Sequence, residues 1–181
     1  TAGEVIVCAG TLGTAELVRR SGLPGFDPDQ RWPVFEHAEV LVRFTPRREV
    51  RAPALLQSVM HTADGLEIRC YGDDFVEFVG SGAPRGIAVG VSDMAEPVRG
   101  AVGPESLDLG WPEQASLDRM TAGARRVVEM LHAEEFAELV LPGSVQIDPV
   151  IGMNQHSFGT LPLGVDADPL GAVAGLEGLR V

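Results

Sequence analysis

Residues 37–45 read HAEVLVRFT, and the fold class turns on them. Val40, Val42 and Phe44 fall on one side of an extended chain, and Glu39, Leu41, Arg43 and Thr45 on the other. A period of two is what a strand with one packed face produces. Working outward, Leu66, Ile68 and Cys70 alternate in the same way against Glu67, Arg69 and Tyr71. Just before them, Asp64-Gly65 is a hairpin signal, because glycine tolerates the positive φ that tight turns require. A further strand is expected over 54–62, with others over 86–91, 98–102 and 107–109. This middle section reads as an antiparallel sheet.

The flanks carry helical periods. After a short apolar strand over 4–9, residues 11–21 place Leu12, Leu17 and Val18 on one side and Arg19 and Arg20 on the other. Ser21-Gly22 and Pro24-Gly25 then break the helix. Residues 22–36 hold three prolines and no period, and read as a connector. Ser116 opens the longest helix, with Met120, Ala124, Val127, Val128 and Leu131 near 3.6 spacing and Arg125, Arg126 and Glu129 on the wet face. A short turn follows over 133–140. Residues 143–171 are rich in Gly and Pro, and 176–181 form a last strand candidate.

The chain has 181 residues, 45% of them hydrophobic and 22% charged, a globular balance. Its net charge is −12, and every basic residue is Arg. Nucleic acids and anionic membranes need a basic patch, and the densest basic stretch, Arg43 to Arg51, is short and interrupted. Polyanion partners are therefore set aside. No apolar run approaches the ~20 residues of a bilayer span. Cys8 and Cys70 lie in apolar segments and are expected to be two buried thiols rather than a disulfide. The four histidines show no ligand spacing, and no metal site is expected. The chain opens straight into a strand with neither signal nor transit peptide, so a cytoplasmic location is expected. Both ends read as cut from something larger.

Two segments could carry chemistry. The first is strand–Gly10-Thr11-Leu12-Gly13–helix, where glycine lets the backbone approach a ligand and a helix N-terminus favours an anionic group. It is neither G-x-G-x-x-G nor a P-loop, and taken alone it reads first as a plain tight strand-to-helix turn. The second is Asn154-Gln155-His156-Ser157-Phe158-Gly159-Thr160. A neutral imidazole in that loop could act as a general base near pH 7, with Asn154 and Gln155 near enough to orient it. A hydrogen-bonded loop histidine is the ordinary alternative. Adjacent Ser157 and His156 cannot form an oriented hydrolase pair. The acidic pairs Asp73-Asp74 and Glu134-Glu135 read as solvated faces, and His61 and His132 as structural.

These segments, in this order, resemble the glucose–methanol–choline (GMC) family of flavin oxidoreductases. VIVCAGTLGTAELVRRSG, residues 5–22, is similar to the family's second signature, matching at Ala9, Gly10, Thr14, Leu17, Ser21 and Gly22. Ala15 stands where Pro is usual, and Pro24 where Gly is. LDLGWPEQASLDRMTAGARRVVEML resembles the family's Asp-Leu-aromatic stretch and following helix. NQHSFGTLPLGVDADPLGAVAGLEGLRV looks like the catalytic loop and return strand, matching at His156, Gly159, Thr160, Gly164, Asp168, Pro169, Gly178, Leu179, Arg180 and Val181. Leu161 and Pro162 replace the commoner Cys-Arg. The resemblance spans nearly the whole chain and extends to a mycofactocin-associated branch of the family.

The resemblance implies an α+β fold. It consists of an antiparallel substrate-domain sheet flanked by helices, plus a strand–Gly turn–helix from the flavin domain. By it, residues 1–25 are a piece of the FAD-binding domain and 26–150 the substrate-binding domain. Residues 151–181 are then the catalytic loop and return strand. It also implies FAD as cofactor in the complete protein, an alcohol substrate oxidised at a CH–OH carbon, and His156 as the base. Ala9, Gly10, Gly159 and Thr160 would be flavin contacts. The G-x-G-x-x-G half of the flavin site and a second catalytic residue would lie outside these 181 residues. The alternative is a non-catalytic fragment or binding subunit that cannot hold FAD alone.

Overall fold

The computed structural model describes residues 3–50, 54–74, 86–153 and 155–181. The chain is α+β, with sheets that are mostly antiparallel and two helices among the described residues. It divides into two compact units: residues 1–36, 98–111 and 155–181 form the first, and 37–97 and 112–154 the second.

The second unit is built on the stretch that opened the sequence reading. β3 (Ala38–Phe44) lies antiparallel to β6 (Ile87–Asp93), with Val40 opposite Val91, Val42 opposite Val89 and Phe44 opposite Ile87. β5 (Leu66–Tyr71) pairs the far edge of β6, and β4 (Leu56–His61) closes the sheet through a hairpin. Gly65, at φ +82°, makes that turn, as Asp64-Gly65 predicted. Two short strands, β9 (Gln146–Ile147) and β10 (Gly152–Met153), add to β3. The long helix, here α2 (Gln114–Leu131), packs on β3, β5 and β6. It buries Met120, Gly123, Ala124, Val127 and Leu131, close to the expected stripe, and leaves Arg125, Arg126 and Glu129 exposed. At the end of β6, Asp93 is fully buried and takes Arg119 of α2 at 2.6 Å and the Ala95 amide at 3.0 Å. Burial opposes ionisation of Asp93, but these donors outweigh it and hold the carboxyl below the usual range.

The residues between those facing α2 carry a polar cluster instead of a wet face. Glu39, Arg69 and Ser92 are all buried. Tyr71 and Ser92 donate to Glu39 at 3.4 and 3.3 Å, and Arg69 bridges Glu67 at 2.5 Å and approaches Glu39 at 4.0 Å. Burial raises the Glu39 carboxyl above its ordinary value, more than Arg69, Ser92 and Tyr71 lower it. As pH rises, the unfolded carboxyl ionises before the folded one, so stability is lost on passing through the folded pKa. Glu39→Gln is therefore expected to raise the melting temperature at pH 7, with the gain shrinking towards pH 4. Paired thermal melts at the two pH values check this.

The first unit holds strands expected over 98–102 and 107–109 and one that was not. Residues 32–36, expected in a connector, form β2 (Trp32–Glu36), antiparallel to β7 (Val98–Val102), which in turn pairs β8 (Leu107–Asp108). Pro33 is tolerated because β2 lies at an edge. The Phe35 amide points outward to Phe158, so the N–H that Pro33 lacks would also have faced outward, away from β7. β1 (Val5–Ile6) is shorter than expected and runs parallel to β11 (Leu179–Arg180).

α1 (Gly10–Arg20) buries Thr14, Ala15 and Val18; of the expected side Val18 is buried, Leu12 is half-buried and Leu17 is exposed. Leu12 and Leu17 are five positions apart, about 140° around a helix, and cannot share one face; Leu17 is 49% exposed. The two cysteines are free, as expected, but not both buried. Cys8 is exposed, because β1 is a two-residue ribbon paired on one side, and Cys70 is half-buried.

Candidate functional site

The two segments singled out in the sequence meet in the first unit. α1 starts at Gly10 in the left-handed region, φ +72°, where a side chain would be strained. Its N-cap is Ala9, which offers no side-chain hydrogen bond, and its first turn has no acidic residue. Both residues are exposed, and the start of the helix carries no side-chain cap.

The histidine loop is stapled to this helix start from 146 and 149 residues away. The Thr11 hydroxyl donates to the Ser157 carbonyl at 2.6 Å, and the Thr160 hydroxyl donates to the Thr11 carbonyl at 2.7 Å. On its other side the loop extends the outer edge of β2. Phe35 and Phe158 exchange backbone bonds of 2.8 and 3.0 Å, and their rings stack with centroids 5.5 Å apart. The Arg99 guanidinium lies 5.5 Å from the centre of the Phe35 ring. Gly159, at φ +99°, passes so close to Phe35 that a Cβ would strike the ring.

Two non-glycine residues have positive φ among the described residues, Gln155 at 61° and Leu161 at 51°, and they bracket His156–Thr160. Such backbone costs of order 1–3 kcal/mol per residue and persists only where its surroundings over-determine it. The strain therefore marks a loop that is held.

His156 itself is exposed, and its ring takes no hydrogen bond among the described residues. Its backbone N–H donates to Glu36 Oε1 at 3.1 Å, and the Ser157 hydroxyl donates to Oε2 at 3.1 Å. Gln155 is a turn residue rather than a partner of the ring, and Asn154 lies outside the described residues. Gly159 and Thr160 are half-buried, with the Thr160 hydroxyl spent on Thr11.

Glu36 and Phe35 were not expected from the sequence, and Thr11 was named only as part of the Gly10 turn. A signal existed for Glu36: Trp32 and Val34 alternate with it, which puts a carboxylate on the packed side of a strand, where it must find donors. Of the acidic pairs expected on solvated faces, Glu134 and Glu135 are exposed, but Asp74 is buried and its amide donates to the Asp73 carboxylate. His132, at the end of α2, lies 2.8 Å from the Val128 carbonyl. No cluster of metal-ligating side chains occurs among the described residues, and no helix among them is long and apolar enough to cross a membrane. No family model and no curated protein matches the chain.

Proposed function

We propose that the chain is a portion of an FAD-dependent oxidoreductase of the GMC type that oxidises a CH–OH group, with His156 as the base. The observation that carries this reading is the meeting of the Gly10 turn with the His156 loop through Thr11, Ser157 and Thr160. The resemblance gave these two segments one shared task, and nothing in their separate sequences required them to touch.

The residues present suit a flavin. Ala9 and Gly10 offer open backbone at an uncapped helix start in an otherwise acidic chain, which favours an anionic group. Gly159 and Thr160 stand in the loop tied to the same turn. FAD, when bound, supplies the acceptor for the hydride. The chain's own part is the proton. A ring nitrogen of His156, unclaimed by any described residue, takes it from the substrate hydroxyl, which raises electron density at the carbon and eases loss of hydride. The backbone bonds of residues 156 and 158 fix the point from which the ring reaches that hydroxyl.

In this reading the larger share of flavin-binding energy comes from a G-x-G-x-x-G element outside these residues. The 181-residue chain is therefore expected to bind FAD with a dissociation constant of ~100 μM or weaker. Titration calorimetry checks this, together with absorption spectra of the longer protein purified intact. Flavin bands in the longer protein and weak binding by the chain support the proposal. A longer protein without flavin would sink it.

A further inference from the structure

Glu36 ends β2 and is 1% exposed. Both its oxygens accept, one from the His156 N–H and one from the Ser157 hydroxyl, each at 3.1 Å. Burying a carboxylate is costly unless donors replace water, and here two of those donors belong to the proposed base and its neighbour. The Phe35–Phe158 bridge adds the next register position, so residues 156–158 are held by the consecutive pair Phe35 and Glu36. The positive-φ residues Gln155 and Leu161, on either side, need such an anchor between them.

We propose that Glu36 is the positioning residue of the site. It acts through the His156 N–H and the Ser157 hydroxyl, and does not itself touch substrate. The proposal rests on the reading of His156 as the base.

The test compares Glu36→Gln with Glu36→Met in the 181-residue chain by amide hydrogen exchange, and in the longer flavoprotein by steady-state kinetics. Gln keeps an oxygen for the His156 N–H and offers its NH₂ to Ser157 Oγ. Met has similar length and no oxygen acceptor. Exchange at His156 is expected to stay within about threefold of native in Glu36→Gln and to quicken about tenfold or more in Glu36→Met. The amides between β2 and β7 serve as the internal reference and should not change. In the flavoprotein, Glu36→Met is expected to lower kcat about 10- to 100-fold with little change in KM, and Glu36→Gln to restore it.

Native exchange at His156 in Glu36→Met, or native kcat despite faster exchange, overturns the proposal. Should Glu36→Met fail to fold, Glu36→Gln decides: loss of His156 protection, or of kcat, in that folded variant overturns it equally. A His156→Ala enzyme with native turnover would instead remove the base while leaving the exchange result standing, so the two failures are distinguishable.

Discussion

Under the function proposed above, His156→Ala is expected to slow turnover of the flavin-loaded enzyme about 10²–10⁴-fold, with the loss in kcat rather than only in KM. The melting temperature and flavin absorbance should stay near native. This separation of effects follows from where the parts of His156 go. Its ring is exposed and bonded to no described residue, so removing it leaves no cavity and no orphaned partner. Its backbone N–H, which donates to Glu36, survives in alanine. A histidine serving only the loop's architecture would behave in the opposite way, with lost stability and nearly normal turnover. Steady-state kinetics beside a thermal melt measure both quantities on one sample. Turnover within a few-fold of native would remove His156 from the mechanism.

What could be read in the sequence depends on how many faces each element buries. β3 and β5 alternate because one face meets α2, so Val40, Val42, Leu66 and Ile68 announce both the element and its packed side. β2 alternates as well, Trp32 and Val34 against Pro33, but the proline argued for a connector until the strand's place at an edge was known. β9 and β10 have two residues each, too few for any period. Partner choice left no trace at all. The same antiparallel section supplies β6 to one sheet and β7 and β8 to another, because a strand's own pattern does not name its neighbour. The candidate site divides in the same way. His156 and Gly10 stood out as residue types, whereas the bonds that join their segments run from Thr11 and Thr160 hydroxyls to carbonyls. Any Ser or Thr can make such a bond, so composition cannot point to it.

Leu66→Ala is expected to destabilise the second unit by ~2–5 kcal/mol, the range for deleting a buried leucine side chain without full collapse of the site. Leu66 is 1% exposed and lies under α2 against Gly123. That approach requires Gly123: a Cβ there would stand 2.6 Å from Leu66 Cδ1 and 2.8 Å from Val91 Cγ1. Gly123→Ala alone sets two effects against each other. Better helix propensity contributes ~1 kcal/mol, and over-packing between two buried side chains costs ~1–3 kcal/mol, so a net loss is expected. In the Leu66→Ala background the loss should shrink: the clash with Leu66 is gone and the propensity gain remains, while Val91 Cγ1 still crowds the new methyl. The two substitutions are thus strongly non-additive, as neighbours sharing one cavity are. Trp32 and Trp111 both belong to the first unit, so indole fluorescence would follow that unit. Urea unfolding is better followed by hydrogen exchange of α2 and β5 amides. Stabilisation of the native chain by Gly123→Ala would show that helix and sheet do not meet this closely, and the coupling would vanish with it.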